Sequence, residues 1–548
     1  MAGQASNGVN CNLVLAALLT SVGGFLAGYE VILFSACLIH IREELHLTVL
    51  WLQILGAIIY IGGCVASLSS GVLSEFFGRK FVIISSSVTY IVGAVVVATS
   101  YTQQQILAGR LITGLSLGAI TMCVPIFLSE ISTTTIRGPI TILYYVLFSL
   151  GLLAVTLMGA SLSTLPQGWR YMPVVGSFVA LLQFGFFFFV PESPRWLISR
   201  GRVEEGREVL LSLRLKNYPS EAEVNSIKAD VDANVDKRGF RNLFKAASVR
   251  KALLVGSLLQ LSQAFSGFFT ITLYSTTIVT MTGLAGRTGA MWVVTGIVSV
   301  GLCGLVVGLA LVERVGRRPL VLASLLGIAI SHLFVAITLH VLYDYSPGVQ
   351  LPAADPQCEA NTCSSCIYRS GCGFCFSGGA GDEQDTACVL ADSADYYRRA
   401  VSGSCSNATL LGEGAYTFAY KWCPHPQTWL ILFGISLQIF FYFLGVGPLA
   451  WTINSEIFPW WTRSMAVSIT SAVNWAGCCV LGLSFLSLME AIFMHGVFYL
   501  LTGVNLVFLL VFYFILPETA GVSLEDMEKL FRMHLGTLGL KKNRVASE

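Results

Sequence analysis

The chain carries few charged residues: Asp, Glu, Lys and Arg make up 12% of its 548 positions. Soluble domains carry about 25%, so most of this chain lacks the charge that a water-covered surface needs. Its seven histidines are scattered, and it contains no Walker phosphate loop, no zinc-type histidine cluster and no nucleophile beside a base. We therefore expect no enzyme, no cofactor and no bound metal. The net charge of +2 gives no indication of a nucleic-acid partner.

The sequence is instead rich in long apolar segments, with 55% hydrophobic residues and a mean hydropathy of +0.72. A helix needs about 20 apolar residues to cross a bilayer, and in lipid each span must satisfy its own backbone, which requires helices. The segment before Asn12 has no Lys or Arg, so we expect no cleaved signal peptide. The sequence predicts an all-α integral membrane protein with twelve transmembrane helices in two six-helix halves. The predicted spans are 12–38, 50–74, 81–101, 104–128, 140–162, 171–191, 252–282, 288–312, 319–343, 427–453, 464–489 and 493–516.

A set of charged motifs occurs twice, at matching places in the two halves. In each half an acid lies three residues before a glycine that is followed by two basic residues. A second acid precedes an arginine by seven positions and a Pro-Glu-Ser/Thr sequence by 61 positions. Membrane proteins built from two such repeats are typically secondary transporters, in which the halves rock around a central site. The motif residues are Glu75, Arg79, Glu130, Arg137 and Pro191 in the first half and Glu313, Arg317, Glu456, Arg463 and Pro517 in the second.

The distribution of basic residues predicts the orientation. Most Lys and Arg residues lie in loops after even-numbered spans or in the C-terminal tail, which places both termini in the cytosol by the positive-inside rule. The polar linker between the halves is then cytosolic and is expected to form short amphipathic helices. The predicted division is 1–191 for the first half, 192–251 for the linker, 252–343 for spans seven to nine, 344–426 for an extracellular domain, 427–516 for spans ten to twelve and 517–548 for a cytosolic tail.

The extracellular segment is rich in cysteine. Two Cys-x2-Cys pairs lie only five residues apart, whereas zinc sites of that type separate the pairs by about 15–20. An even number of cysteines in an oxidising compartment predicts disulfides instead, but eight cysteines allow 105 pairings and the sequence selects none. Asn407 begins a glycosylation sequon in the same segment, as expected outside the cytosol. The eight cysteines are Cys358, Cys363, Cys366, Cys372, Cys375, Cys388, Cys405 and Cys423.

Glu30 is the first candidate for the transport chemistry, because it is the only acid deep inside a predicted span. An ionised side chain at the bilayer centre costs about 2.5 kcal/mol or more, so such a residue is a functional candidate. Burial favours the neutral acid and a nearby cation favours the carboxylate, and a group between these effects can load and release a proton. The expected cation is Arg110, the only basic residue inside a span. A static ion pair between spans one and four is the alternative.

The repeated charges lie at predicted cytosolic helix ends, where an acid and a base can pair while that side is closed. Such pairs would act as latches that break when the halves rock apart. Basic residues that only hold loops in the cytosol would occupy the same positions, and the two explanations are compatible. The candidate latch residues are Glu75, Arg79, Glu130, Arg137, Glu313, Arg317, Glu456 and Arg463.

Polar and aromatic residues of the second half predict a lining for a carbohydrate-like cargo. Gln260 and Gln263 lie one helical turn apart and share a face. Trp451 follows the glycine-rich break at 445–448, and Asn474 lies in the middle of span eleven. Amides bind hydroxyls while an indole covers the apolar ring face. Taken singly, each residue could equally serve as a polar contact between helices.

These motifs resemble those of the sugar porter family of the major facilitator superfamily over nearly the full length. The matching segments are 71–80, 191–197, 260–263 and 517–521. The resemblance is greatest to members that carry myo-inositol with protons, which share a plexin–semaphorin–integrin-like insert. It implies proton-coupled symport of myo-inositol or a related polyol or hexose, with Glu30 and Arg110 as the coupling pair.

Several positions depart from the family pattern. The resemblance implies that Tyr145 stands where the family has a substrate-binding glutamine, and that Ala264 replaces a second glutamine. Phe269 and Gly301 stand at asparagine positions, and Phe443 stands at a glutamate position. The pocket is therefore expected to be more apolar and aromatic than in typical members, and the cargo could be a less polar polyol derivative.

Two other functions stay open at this point. One is a facilitative hexose or polyol uniporter in which Glu30 is structural. The other is a surface receptor whose disulfide-rich domain binds an extracellular protein partner. The expected partners of the transporter are a small polyol or sugar, protons and the lipid bilayer. The plasma membrane is the expected location, and an endosomal membrane would fit the disulfides and glycosylation equally well.

Overall fold

The computed structural model contains eleven helices, within its described residues, that are long and apolar enough to cross a membrane. The last of them runs for 56 residues and covers two of the twelve predicted spans, 464–489 and nearly all of 493–516. The structure describes residues 10–45, 47–133, 136–163, 165, 167–215, 218–234, 243–281, 287–352, 355–369, 371–377, 385–392, 399–412, 415–522 and 527–531.

The first half consists of six helices, two of which begin at a threonine cap. Thr48 accepts a hydrogen bond from the Trp51 N–H at the start of α2, and Thr102 forms a capping box with Gln105 at the start of α4, as N-terminal caps commonly do. Gly78 separates α2 from α3 with φ of 93°, a conformation that glycine adopts without strain. The helices are α1 Cys11–Leu45, α2 Val49–Phe77, α3 Arg79–Ala98, α4 Gln103–Ile131, α5 Arg137–Leu162 and α6 Tyr171–Phe187.

The linker contributes three short helices, α7 Pro194–Ser199, α8 Val203–Leu213 and α9 Ser220–Ala233. They pack through a small apolar cluster that includes Ile198, Leu210 and Ile227. Positions 235–242 of the predicted linker and 532–548 of the predicted tail lie outside the described residues.

The second half repeats the first with interrupted helices. Its first span breaks at Gly267, where φ is 79°, and its fourth breaks at Gly445. The longest helix bends at Phe493, whose φ of 62° and ψ of 165° are not helical. The helices are α10 Ala247–Phe265, α11 Phe268–Leu273, α12 Ser275–Met281, α13 Arg287–Val315, α14 Arg317–Asp344, α17 Trp429–Leu444, α18 Val446–Glu456, α19 Trp460–Ile515 and α20 Met527–Leu530, with α15 Cys363–Ile367 and α16 Ala408–Gly412 between α14 and α17.

The cysteine-rich segment forms a small domain around a three-stranded antiparallel sheet of order β2-β1-β3. The strands are β1 Cys372–Ser377, β2 Ala387–Leu390 and β3 Tyr416–Ala419. The prediction of a disulfide framework is confirmed, because all eight cysteines are paired. The exposed Asn407 caps the following turn by accepting a hydrogen bond from the Thr409 N–H, and its glycosylation stays a prediction. The pairs are Cys358–Cys372, Cys363–Cys423, Cys366–Cys388 and Cys375–Cys405.

The two halves touch at both ends of the bundle. We call the end with α7–α9 the inner end and the end with the disulfide domain the outer end. At the inner end Arg79 donates to the Ser464 hydroxyl over 3.2 Å. At the outer end the Ser35 hydroxyl lies 3.0 Å from those of Ser275 and Thr276. The space between the halves is therefore covered on both sides.

Candidate functional site

The predicted substrate residues converge on Gln263, at the interface between the halves. Its amide nitrogen donates to the Tyr145 hydroxyl over 2.8 Å and to the Gly447 carbonyl over 2.9 Å. Its amide oxygen accepts from the Trp451 indole over 3.0 Å and from the Asn474 amide over 2.8 Å. Helices α5, α10, α18 and α19 thus each contribute to one hydrogen-bonded cluster.

Gln260 lies one turn before Gln263 on α10 and has a different environment. Gln260 is fully buried, yet neither its amide oxygen nor its amide nitrogen has a hydrogen-bond partner among the described residues. Only its backbone carbonyl is bound, by the Asn474 amide over 2.9 Å. A buried amide without partners is costly, so the side chain of Gln260 is an unsatisfied polar group beside the cluster.

Aromatic rings enclose this polar cluster. Phe268 stacks on Tyr442 with ring centroids 4.0 Å apart, and Tyr145 lies 5.3 Å from Phe148. The ring of Phe443 occupies space that Gly301 leaves free, because a Cβ at that glycine would lie 2.9 Å from the ring. Tyr145 and Phe443 are positions at which the sequence departs from the family pattern, and Phe268 is next to a third such position, Phe269.

A second aromatic group lies on the other side of the cluster. Tyr60 stacks on Trp475 at 6.0 Å, and Phe269 lies 5.9 Å from the same indole. Gly63 allows the indole to approach α2, since a Cβ there would lie 2.9 Å from it. Phe269 therefore contributes a wall of the site rather than a hydrogen-bonding group.

Glu30 lies in the middle of α1 and is 1% exposed. One carboxylate oxygen accepts from the Thr113 hydroxyl over 3.1 Å and the other from the Tyr90 hydroxyl over 3.1 Å. The Arg110 guanidinium is 3.7 Å away, which is a loose ion pair. The structure thus brings the predicted pair together, but two hydroxyl groups make the direct hydrogen bonds to the acid.

Arg110 has other partners that hold it in place without Glu30. Its Nε donates to the Leu55 carbonyl over 2.7 Å, and its guanidinium lies 4.2 Å from the centre of the Phe34 ring. A cation over an aromatic ring is stabilised by the negative face of that ring. Arg110 therefore has stabilising contacts in addition to its loose ion pair with Glu30.

A small cavity adjoins the pair inside the first half. Its volume is about 10 Å³, and its lining includes Glu30, Arg110, Cys37, Ile41 and Ile106. About 10–15 Å³ is enough for one water. Since Ile41 lies near the outer end of α1, the cavity extends from the acid toward the outer end.

Two of the predicted ion pairs are present at the inner end, and their role as latches stays a prediction. In the first half Arg79 donates to Glu130 over 2.9 Å, and the other oxygen of Glu130 accepts from the Ser193 hydroxyl over 2.6 Å. In the second half Arg317 pairs with Glu456, and it also donates to the Thr519 hydroxyl over 3.1 Å. The acid and base of each pair are almost fully buried.

Two acids that the sequence analysis did not single out as functional, Glu192 and Glu518, complete these latches. The carboxylate of Glu192 accepts from the backbone N–H groups of Arg79 and Lys80 at the start of α3. Glu518 accepts in the same way from Arg317 and Arg318 at the start of α14. A carboxylate is favoured at a helix N-terminus, where N–H groups are free. The repeated Pro-Glu-Ser/Thr sequence was the available signal for this role.

Burial raises the pKa of the Glu192 carboxyl, although hydrogen bonds from the backbone N–H groups of Ser193, Lys80 and Arg79 and the charge of Arg79 oppose that shift. The carboxyl thus depends on the folded arrangement at the inner end for its charge. Arg79 bonds both acids, since its backbone N–H donates to Glu192 and its guanidinium donates to Glu130.

The four other latch candidates are placed differently. Arg137 and Arg463 both lie within electrostatic reach of Glu456, and Arg463 also donates to the Phe458 carbonyl over 3.1 Å. Because Arg137 belongs to the first half, it adds an attraction between the halves. Glu75 and Glu313 form no ion pair with a described residue in this closed conformation, and Glu313 is exposed. Their part in gating stays a prediction.

Comparison with known proteins agrees with this geometry. The chain is 33% identical over 535 residues to the human proton myo-inositol cotransporter, covering 95% of this chain and 82% of that protein. It is 29% identical to a Caenorhabditis elegans proton myo-inositol cotransporter, covering 93% and 88%. The fold matches the proton:xylose symporter XylE bound to 6-bromo-6-deoxy-D-glucose, with a TM-score of 0.73, 20% identity and coverage of 95% and 99%. The model of the family "Sugar (and other) transporter" matches residues 16–351 and 403–531, and the chain therefore belongs to that family.

Proposed function

We propose that the chain is a secondary active transporter that carries myo-inositol or a related polyol or hexose together with protons. The observation that carries the proposal is Glu30, a buried acid held loosely by Arg110 in a bundle of two repeats. Relatives named as proton myo-inositol cotransporters support the cargo and the coupling.

The cargo binds between the halves. Gln260 offers an unpartnered amide, and Gln263, Trp451 and Asn474 exchange their mutual hydrogen bonds for bonds to ring hydroxyls. The aromatic rings cover the apolar faces of the cargo ring, as in other carbohydrate-type sites.

The proton binds at Glu30. The neutral acid no longer attracts Arg110, which keeps its bonds to the Leu55 carbonyl and to Phe34. This change reaches the cargo site through close packing of α1 on α5, because a Cβ at Gly28 would overlap the backbone of Phe148. Movement of α1 therefore moves α5, which carries Tyr145.

Alternating access follows from the two sets of contacts between the halves. With the inner latches closed and the Ser35–Ser275 contact broken, the site opens outward. With the outer contact closed and the latches broken, it opens inward. Loading of cargo and proton together lowers the free energy of the covered state relative to either alone, which is what coupled transport requires.

We further infer that the chain lies in the plasma membrane with both termini in the cytosol, and that it has no enzymatic activity. The disulfide domain is then extracellular, where an oxidising environment preserves its four bridges. An extracellular protein partner of that domain belongs to the same proposal.

The test is uptake of labelled myo-inositol into proteoliposomes that contain the purified chain, with and without an inward proton gradient. Accumulation above equilibrium under the gradient is the expected result. Equilibration without accumulation would instead identify a uniporter and leave Glu30 a structural role. Absence of uptake with any polyol or hexose would favour a surface receptor.

A further inference from the structure

The cargo site has two chemically different sides. The amide and indole groups of the cluster, those of Gln260, Gln263, Trp451 and Asn474, lie on α10, α18 and α19, and α5 adds the Tyr145 hydroxyl. The opposite side, formed by α5, α11 and α17, presents the rings of Phe148, Phe268 and Phe443, whose centroids lie 5.4–6.4 Å from one another. A cargo with hydroxyl groups all round its ring would leave some of them against this apolar side.

A cavity lies directly beside the apolar side, toward the outer end. Its volume is about 20 Å³, and it separates α1 and α5 of the first half from α11, α12, α13 and α17 of the second. Phe268 and Phe443 form the part of its wall that faces the cargo site. Its apolar lining includes Ile32, Leu152, Phe268, Val298, Ile439 and Phe443.

The cavity offers no free hydrogen-bonding side chain. Its only polar side chains are those of Thr272 and Ser275, and both are already bound. The Thr272 hydroxyl donates to the Phe268 carbonyl over 2.6 Å, and the Ser275 hydroxyl lies 3.0 Å from that of Ser35. A water would fit by volume but needs two to four polar partners, so the cavity favours an apolar group.

We propose that the preferred cargo is a cyclic polyol bearing one small apolar substituent, such as a mono-O-methyl ether of inositol. The ring hydroxyls bind Gln260, Gln263 and Asn474, and the methyl group enters the cavity between Phe268, Phe443 and Val298. This inference rests on the proposed function and names the class of substrate for the same site.

The test compares myo-inositol with a set of its mono-O-methyl ethers, as labelled substrates and as competitors, in proteoliposomes of the full chain. At least one ether should be transported with a KM about fourfold lower than that of myo-inositol, the factor that burial of one methyl-sized group supplies. Equal or weaker affinity for every ether would overturn the inference while leaving polyol transport intact. Failure of both compounds to be transported or to bind would overturn the inference together with the proposed function.

Two variants of the cavity wall sharpen this test. Val298→Leu adds one methylene to the wall and should abolish the preference for the ether over myo-inositol. Ile297→Val, in the same wall, removes one methylene and should extend the preference to the corresponding ethyl ether. If Val298→Leu reduces folding, Ile297→Val alone tests the subsite. An unchanged ranking of methyl and ethyl ethers by the Ile297→Val chain would count against the cavity as the subsite.

Discussion

The centres of the two halves differ, although their inner ends are alike. The first half buries an acid and a base between α1, α3 and α4. At the corresponding place in the second half, between α10, α14, α17 and α19, the described side chains are uncharged: His332, Gln438 and Asn505. Two of these side chains, Gln438 and Asn505, bind carbonyl groups at the break in the first span of that half. Gln438 donates to the Ser266 carbonyl over 3.2 Å, and Asn505 donates to the Phe265 carbonyl over 3.2 Å.

This difference assigns a different task to each half. Carbonyl groups freed by a broken helix need donors inside a membrane protein, and amides supply them without a charge. The second half therefore holds the bent segments, at Gly267 and Gly445, that surround the cargo. The first half has one acid, Glu30, in the middle of a span. In the proposed function, the proton site therefore lies in the first repeat and the amides of the cargo site lie in the second.

The largest expected effect comes from removing the acid that only the first half possesses. Glu30→Gln keeps the size of the side chain and can accept a hydrogen bond from one of the Tyr90 and Thr113 hydroxyls and donate one to the other, but it cannot exchange a proton. We expect loss of uphill accumulation, with exchange of cargo across the membrane retained and independent of pH. Uptake and counterflow in proteoliposomes measure the two activities.

A matched control for Glu30→Gln is Tyr90→Phe, which removes one hydrogen bond to the acid and keeps the acid itself. It should retain accumulation, with a shifted pH dependence. Concentrative uptake by Glu30→Gln equal to that of the parent chain would contradict the assignment of proton coupling to the first half.

Variants of the inner ion pairs test whether the two halves close the inner end in the same way. Arg79→Met and Arg317→Met each leave a buried acid without its partner, which costs about 3–5 kcal/mol in the closed inner end. Both should shift the population toward an inward-open state. Arg79→Met should act more strongly, because Arg79 also bonds Ser464 in the other half.

The shift can be followed by reaction of a membrane-impermeant thiol reagent, applied from the inner side, with Ser468→Cys. Ser468 is 2% exposed and lies against Gly71 of the first half. Exposed Cys11 and Cys303 should be replaced by Ser in all chains. Equal labelling in the parent and both arginine variants would show that the pairs do not hold the inner end closed.

The disulfide domain should behave as a separate unit from the transporting bundle. Cys372→Ser removes the bridge to Cys358, and loss of a native bridge in a small domain typically costs about 2–5 kcal/mol. We expect less protein at the cell surface with unchanged turnover for each delivered molecule. Surface biotinylation together with uptake measures both quantities. A fall in turnover of delivered molecules would place the domain inside the transport cycle, through the contact of Tyr368 with Phe493.

The sequence predicted most of the fold because its strongest signals are local. About 20 apolar residues in a row define a span, and the repeated charges mark the ends of corresponding helices. The convergence of Gln263, Trp451 and Asn474 was predicted only as a shared lining. Their mutual hydrogen bonds depend on how three helices pack, which no local pattern contains.

Other features depend on contacts between distant segments and could not be read from the chain. Pairing of Cys363 with Cys423 spans 60 residues and is one of many pairings that the count allows. From the sequence, Glu192 marks only the end of the first half. Its role as a cap depends on the start of α3 lying beside it, which the sequence does not show. Tyr90 looked like an ordinary residue of an apolar span, and only the packing of α3 on α1 directs its hydroxyl to Glu30.

The smallest expected effect comes from the residue of the second half that lies opposite the proton site. His332 is fully buried, and neither ring nitrogen has a hydrogen-bond partner among the described residues. Replacing a buried polar group that lacks partners by an apolar group of similar shape is nearly neutral or stabilising. His332→Phe should therefore change thermal stability by less than about 1 kcal/mol and leave proton-driven accumulation unchanged, whereas Glu30→Gln abolishes it. Loss of accumulation in a His332→Phe chain of normal stability would show that both halves titrate, and the separation of proton and cargo between the repeats would then be wrong.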